Sequence, residues 1–259
     1  MGLFPISPAA LLTRIGTLLW PLPVDASAHG PALDLHLFRN LWIALGLFAL
    51  AHLLLLIGLL RSRNVKPYDD DPRRIWRIEY LPLAALSLLF VFLAFEAERL
   101  WAAARYTGAD PAALQVEVTG MQFAWYFRYP GVDATFGTTQ PELVSAAEGN
   151  PVGIDPADLH GRDDLVTSEL VLPVGRQVDL RLRAQDVIHG FSVPELRLKQ
   201  NAVPGQTIHI HFTPTRPGTY AILCTQLCGL GHYRMNANLR VLPSAAFAQW
   251  LAHREEAKP

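Results

Sequence analysis

The chain has 259 residues, of which 51% are hydrophobic and only 17% charged, and its formal net charge at pH 7 is −1. This excess of apolar residues argues against a wholly soluble protein, and we expect part of the chain to lie in lipid. From Thr107 onward 15 acidic residues outnumber 12 basic ones. That part of the chain therefore suits a basic partner better than nucleic acid, and a solvated acidic surface without a partner is the simpler interpretation.

The N-terminal segment, residues 1–35, allows two interpretations. Ala9–Trp20 is apolar but is interrupted by Arg14, and Ala26-Ser27-Ala28 resembles the small-residue site at which a signal peptide is cut. The segment is therefore either a removed signal peptide or a retained amphipathic segment on the membrane surface. Both interpretations leave the N-terminus outside the cell membrane.

A transmembrane hairpin is predicted over residues 36–105. Leu41–Leu60 and Leu81–Leu100 are apolar runs of about the twenty residues that a membrane-spanning helix needs. The connection between them is basic, which places it in the cytoplasm and both chain ends outside. Glu96 would be costly in lipid, so we expect it to face a partner helix or an interface. The basic residues of the connection are Arg61, Arg63, Lys66, Arg73, Arg74 and Arg77.

From Asp110 onward the pattern changes to short apolar or alternating runs that are separated by turn formers. Examples are VEVTGMQFAWYFRYP (116–130), QVDLRLRA (177–184) and QTIHIHFTP (206–214). Such runs predict a β-sandwich or barrel, which we place at residues 106–243. Thr138–Ser168 is rich in Gly, Pro and Asp and is predicted to be a long surface loop. Residues 244–259 have the composition of a helical tail.

Both cysteines of the chain lie in one twelve-residue stretch, CTQLCGLGHYRM (224–235). Two cysteines in an oxidising compartment commonly form a disulfide. A disulfide makes no use of His232 or Met235, however, whereas thiolate, imidazole and thioether together are ligands of soft copper. Zinc seldom takes methionine, and its structural sites favour CxxC over CxxxC. We therefore predict a copper site at Cys224, Cys228, His232 and Met235.

A second cysteine distinguishes this stretch from the ligand loop of a blue-copper domain, which needs only one. Because each thiolate can bridge two metal ions, the residues favour a dinuclear centre that requires one more imidazole. His189 in DVIHGFSVPEL is the best candidate, since it follows a predicted strand and has apolar neighbours. A purely structural role for this histidine is the alternative. His209 and His211 alternate along one strand and are predicted to face solvent.

The stretch CTQLCGLGHYRM resembles the copper motif of cytochrome c oxidase subunit II, C-x-E-x-C-G-x-x-H-x-x-M. The resemblance extends to DVIHGFSVPELRLKQNAVPG (186–205), TRPGTY (215–220), the aromatic GMQFAWYFRYP (120–130) and the preceding hairpin. It covers nearly the whole chain from about residue 36. It implies a mainly β fold, in which an N-terminal two-helix transmembrane hairpin is followed by a cupredoxin-like Greek-key β-sandwich.

The resemblance also implies a function. In this family a mixed-valence centre of two copper ions, CuA, takes electrons from cytochrome c or another periplasmic donor. It passes them to haem in subunit I, where oxygen is reduced to water and protons are pumped. The implied setting is the bacterial inner membrane, with subunit I, further membrane subunits and lipid as partners. No catalytic residue is implied in this chain. By position, the metal ligands would be His189, Cys224, the backbone carbonyl of Gln226, Cys228, His232 and Met235.

Three positions depart from the family pattern. Gln226 replaces a glutamate that helps to hold magnesium against subunit I, which makes a magnesium site doubtful here. Phe123 replaces the tryptophan through which electrons enter in many members, so Trp125 and Tyr126 are further candidates for that role. Asn201 stands where an acidic docking residue often lies. The last two differences imply a donor, or a donor interface, unlike the mitochondrial one.

Other functions remain compatible with these residues. The copper-bearing subunit of a related nitric oxide reductase would share the ligand loop. A membrane-anchored copper-binding or assembly protein would also bind the metal, but it would not need the aromatic stretch. A structural subunit would instead join Cys224 to Cys228 in a disulfide.

Overall fold

The computed structural model describes residues 8–61 and 71–256 and divides into two compact units. The first unit comprises Ala32–Ala103 with the chain up to Leu22, and the second comprises Pro23–Pro31 with the chain from Ala104. Within the described part, the helices are α1 (Pro8–Leu19), α2 (Gly30–Arg61), α3 (Pro72–Ile75), α4 (Leu81–Arg105) and α5 (Ser244–Glu256). A π-helical segment, Trp76–Tyr80, joins α3 to α4.

Two helical stretches are long and apolar enough to cross a membrane. They are Gly30–Arg61 and Pro72–Arg105, with mean hydropathies of 2.6 and 2.1 in their most apolar windows, and neither window has a residue buried inside the protein. Helices this apolar and this exposed do not belong to the core of a soluble protein, so they agree with the predicted hairpin. Of the predicted cytoplasmic connection, residues 62–70, which include Arg63 and Lys66, lie outside the described residues.

The charged residue that was hardest to place in lipid has a partner within the hairpin. Oε2 of Glu96 lies 3.4 Å from Nη1 of Arg39 on α2, and its Oε1 lies 3.6 Å from Arg99. The Arg39 guanidinium also lies over the Phe92 ring, 5.8 Å from its centroid. The expected partner helix for Glu96 is therefore α2, which reduces the cost of a carboxylate near lipid.

The second unit is a sandwich of two five-stranded sheets. Its strands are β1 (Leu114–Met121), β2 (Ala124–Tyr129), β3 (Leu165–Thr167), β4 (Leu170–Pro173), β5 (Val178–Ala184), β6 (His189–Val193), β7 (Leu198–Ala202), β8 (Ile208–Phe212), β9 (Gly218–Cys224) and β10 (Asn236–Leu242). The sheet orders are β3-β2-β1-β5-β8 and β4-β10-β9-β6-β7. The pairs β1–β5 and β4–β10 are parallel, and the other pairs are antiparallel.

One hydrophobic core fills the space between the sheets. Trp125 and Phe127 from the first sheet belong to the same buried cluster as Phe191 and Leu172 from the second. The Tyr129 hydroxyl crosses the interface, where it donates to the backbone oxygen of Val171 (2.9 Å) and accepts from its amide (2.8 Å). The predicted combination of helical hairpin and cupredoxin-like β-sandwich is thereby confirmed.

A short N-terminal strap, Pro23–Pro31, is part of the sandwich unit. The Ala26 amide donates to the oxygen of Glu195 (2.8 Å), and the Ala28 amide donates to that of Thr213 (3.0 Å). Ala26 and Ser27 are both buried. The tripeptide Ala26-Ser27-Ala28, which resembles a signal-peptidase site, is therefore packed against the sandwich and hydrogen-bonded to it.

The prediction of a long loop over Thr138–Ser168 is wrong at the C-terminal end of that range, where β3 forms. Residues 165–167 pair with 127–129 on the edge of β2. A three-residue strand carries little alternation of its own, and its pairing with β2 supplies the structure that its composition does not predict.

Candidate metal centre

The register of two neighbouring strands brings the predicted ligands to one end of the sandwich. β6 begins at His189 and β9 ends at Cys224, and Phe191 pairs with Cys224 in an antiparallel register. The Thr225 amide donates to the oxygen of Gly190 at 2.9 Å, which holds the cysteine loop against the start of β6. The histidine and the cysteine loop are therefore neighbours although 34 residues separate them in the chain.

Four predicted ligand side chains, the two cysteines among them, lie close together. The Cys224 and Cys228 sulfurs are 3.9 Å apart, and both cysteines are free thiols. The Cys228 sulfur lies 3.6 Å from Nδ1 of His232 and 3.7 Å from the Met235 sulfur. The Cys224 sulfur lies 3.2 Å from the backbone oxygen of Gln226. All four side chains and the carbonyl thus face one small volume.

His189 completes the cluster with one particular ring nitrogen. Its ligand atom and those of Cys224 and Cys228 lie within 4.8 Å of one another, and its side chain is 0% exposed. Nε2 of His189 lies 2.7 Å from Oδ1 of Asp186, while Nδ1 is buried without a hydrogen-bond partner. Because a carboxylate only accepts, Nε2 carries a hydrogen, and Nδ1 is the ring nitrogen left for a metal. A buried ring nitrogen without a hydrogen-bond partner, on a histidine beside two thiols, is a natural position for a metal ligand.

The protonation of the cluster is set by burial and by close neighbours. Burial, the hydrogen bond to Cys224 and the proximity of that sulfur raise the pKa of Cys228 to about 11. Burial disfavours the charged form of Asp186, but hydrogen bonds from His189 and from the amides of Gln122 and Val187 outweigh it and lower the pKa of Asp186. The cluster therefore combines a Cys228 thiol that resists ionisation with a histidine that an ionised carboxylate orients.

The donor set fits soft copper. Two thiols, a thioether and two imidazoles are soft or borderline ligands, whereas magnesium and calcium require oxygen ligands. The Gln226 carbonyl oxygen also lies near the sulfurs, and the Gln226 residue itself is exposed. The residues present thus fit a soft-metal site such as one for copper.

The three predicted aromatic residues have different surroundings. A Cβ atom added at Gly231 would lie only 2.4 Å from the Phe123 ring, so this half-buried ring lies directly on the cysteine loop. Trp125 is 1% exposed, and its ring meets His189 edge to face with centroids 5.9 Å apart. Tyr126 is half-buried on β2. Of the three, Phe123 and Tyr126 are partly exposed, and Trp125 is buried.

Sequence reasoning missed two residues that contact the ligand loops. Asp186 precedes His189 by three positions, so the pattern DxxH could have indicated a carboxylate that orients an imidazole. Gln122 donates from its side chain to the oxygen of Cys228 at 2.6 Å. Because that contact spans 106 positions, no local pattern points to it.

Comparisons with known proteins show which family the chain resembles. The family described as "Cytochrome C oxidase subunit II, periplasmic domain" matches residues 114–241. The "Alternative cytochrome c oxidase subunit 2" of Bradyrhizobium diazoefficiens is 41% identical over 141 residues, which are 54% of this chain and 50% of that protein. The chain thus matches about half the length of this relative. The "Probable cytochrome c oxidase subunit 2" of Streptomyces avermitilis is 30% identical over 256 residues, 89% of this chain and 77% of that protein.

Among solved structures, the chain is similar to the periplasmic domain of subunit II of cytochrome oxidase (CoxB) of Bradyrhizobium japonicum. The sequence identity is 26%, the TM-score is 0.43, and the match covers 59% of this chain and 100% of that domain. The similarity to the Streptomyces protein extends over most of both chains and therefore includes the helical hairpin as well as the sandwich. On the ground of this similarity over most of both chains, the chain belongs to the cytochrome c oxidase subunit II family.

Proposed function

We propose that this chain is the electron-accepting subunit of a haem-copper terminal oxidase and holds a dinuclear CuA centre. The centre would take electrons from cytochrome c or another periplasmic donor and deliver them to haem in subunit I, for reduction of oxygen to water coupled to proton pumping. The proposed ligands are His189, Cys224, the Gln226 carbonyl, Cys228, His232 and Met235. When bound, two coppers supply a one-electron redox couple.

The observation that carries this proposal is the buried His189: its Nδ1 has no hydrogen-bond partner, and one of its ring nitrogens lies within 4.8 Å of two unbridged sulfurs. A disulfide-bonded structural subunit would leave that buried nitrogen without any function and at a cost in free energy. A histidine kept only for packing would more commonly satisfy both of its ring nitrogens. The nitrogen, the sulfurs and the thioether together therefore favour a soft-metal site over either alternative.

The protein's own contribution is a fixed arrangement of the ligands. Asp186 holds the His189 ring in one tautomer and one orientation, and the hydrogen bond between Thr225 and Gly190 fixes the distance between the two ligand-bearing segments. Phe191, which pairs with Cys224 between β6 and β9, is fully buried. Ligands that hardly move when the charge changes give a small reorganisation energy, which favours rapid electron transfer.

Exposed apolar side chains around the cysteine loop support the proposal that a protein partner binds at this end of the sandwich. Leu227, Leu230 and Tyr233 are strongly exposed, and Leu230 reaches 98%. A group of exposed apolar residues next to a functional site is typical of a docking surface.

We further propose that the sandwich and both termini lie on the periplasmic side of a bacterial inner membrane. The apolar helices Gly30–Arg61 and Pro72–Arg105 would form the membrane anchor, with the basic connection between them in the cytoplasm. This orientation would place the centre where a periplasmic donor can reach it.

Loading the purified full-length chain with copper in detergent tests the proposal. We expect two coppers per chain and a spin-resonance signal from one electron shared between them. Cys224→Ser should abolish that signal, and His189→Asn should reduce the copper content. His209→Asn is the matched control, because His209 pairs with Asp179 outside the cluster and has a side chain that is 55% exposed. A single blue copper, or equal copper loss in both histidine variants, would refute the proposal.

A further inference from the structure

We propose that Gln122 is a positioning residue for the metal centre, which links the segment at the start of β6 that bears His189 to the loop that bears Cys228. This inference rests on the proposed copper function and adds a residue to it. Gln122 belongs to neither ligand loop, since it lies in the turn between β1 and β2.

Gln122 makes one hydrogen bond to each side of the centre. Its backbone amide donates to Oδ2 of Asp186 at 2.7 Å, and the other oxygen of that carboxylate holds Nε2 of His189, also at 2.7 Å. Its side-chain Nε2 donates to the backbone oxygen of Cys228 at 2.6 Å. One residue therefore connects the orientation of the imidazole to the position of a bridging sulfur.

The turn is also seated closely on the cysteine loop. A Cβ atom at Gly229 would lie 2.8 Å from Nε2 of Gln122, and one at Gly231 would lie 2.4 Å from the Phe123 ring. Gly229 has a φ of +138°, which other residues rarely adopt. The two glycines thus give the turn the close approach that the hydrogen bond to Cys228 requires.

The side-chain bond can be removed without disturbing the backbone bond. Gln122→Leu has a similar size but no donor, and Gln122→Glu keeps the shape while replacing the amide donor with an acceptor that faces another acceptor. Both variants retain the backbone amide that binds Asp186. Any effect common to both therefore reports on the lost link to Cys228.

Outer-shell residues of metal sites typically contribute a factor of about 10–100 in metal affinity. We expect Gln122→Leu and Gln122→Glu to weaken copper binding by roughly that factor in the full-length chain, measured by competition with a chelator. We also expect changed copper hyperfine splittings in the remaining loaded protein, because the Cys228 sulfur is no longer held in place. Gln140→Leu is the control, since Nε2 of Gln140 donates to Asp155 at 2.7 Å in an exposed loop.

The outcomes separate the two proposals. If the unmodified chain fails to hold two coppers, the proposed function fails. If it holds them and both Gln122 variants match Gln140→Leu in copper affinity and hyperfine splitting, the positioning role is overturned. If the Gln122 variants lower only the stability of the metal-free chain towards urea and leave the copper spectrum unchanged, the residue is merely structural and the inference is equally overturned.

Discussion

Replacing Gly190 with alanine should separate the two ligand-bearing segments of the metal centre. The added Cβ would lie 2.5 Å from Oγ1 of Thr225 and 2.8 Å from the backbone nitrogen of Gln226. The threonine hydroxyl can rotate away, but the backbone nitrogen cannot. An ordinary contact begins near 3.4 Å, so β6 and the cysteine loop must move about 0.6 Å apart.

That displacement is small for packing and large for a metal site. Overpacking of this kind costs about 1–3 kcal/mol of stability, so the metal-free domain should still fold. Metal–ligand distances, in contrast, tolerate deviations of only about 0.2 Å. We therefore expect Gly190→Ala to fold, to unfold at a lower urea concentration, and to lose most of its copper or its shared-electron signal.

The assay compares copper content, spin resonance and urea unfolding of the full-length chain with those of Gly46→Ala. Gly46 has no atom within 4 Å of an added Cβ and lies in α2, so it should change none of the three quantities. Native copper content and an unaltered spectrum in Gly190→Ala would refute the reasoning, because they would mean that the contact between β6 and the cysteine loop does not set the ligand geometry.

Three further predictions concern the sandwich. Tyr129→Phe removes the hydroxyl that bonds both backbone groups of one β4 residue, and urea unfolding should show a loss of about 2–3 kcal/mol. The hydrogen bond and charge of Asp133 raise the pKa of His160. The pair therefore stabilises the fold below the ordinary histidine pKa, and this stabilisation is lost as the pH rises through the raised value. NMR titration should show a lower pKa for His160 in Asp133→Asn than in the unmodified chain. Ala26→Asp, at a fully buried site, should lower the free energy of unfolding by roughly 3–5 kcal/mol, whereas Ala221→Asp at an exposed site should change it little. The intact mass of the purified chain should include the strap, and a mass that begins after Ala28 would contradict this.

Local sequence patterns predict much of this molecule because the relevant physics is local. A run such as Leu41–Leu60 is apolar throughout, and its length alone indicates a membrane helix. The four side-chain ligands in residues 224–235 are close in space because they are close in the chain and follow one strand. His189 is further away, yet its surroundings and the missing imidazole were sufficient to select it.

Features that depend on pairing between distant segments were not predictable in the same way. β3 is three residues long and exists because the edge of β2 accepts it. The strap around Ala26 has no alternation, and its small residues resemble a peptidase site, but those residues are small because they are buried against the sandwich. The sequence around Gln122 indicates only a polar residue in a turn, because its contact with Cys228 forms only when the chain is folded.

The proposed metal centre therefore depends on the sandwich topology as much as on its motif. Its ligands come from the start of β6 and from the segment that joins β9 to β10, and the turn between β1 and β2 in the other sheet reaches both. Each segment is anchored in a strand whose inward residues belong to one common core, as Phe191 and Trp125 do. Moving one ligand would therefore require a shift in a close-packed interior, which resists displacement far more than a surface loop does. That resistance explains how a loop containing two glycines can hold a site that must keep its geometry while its charge changes.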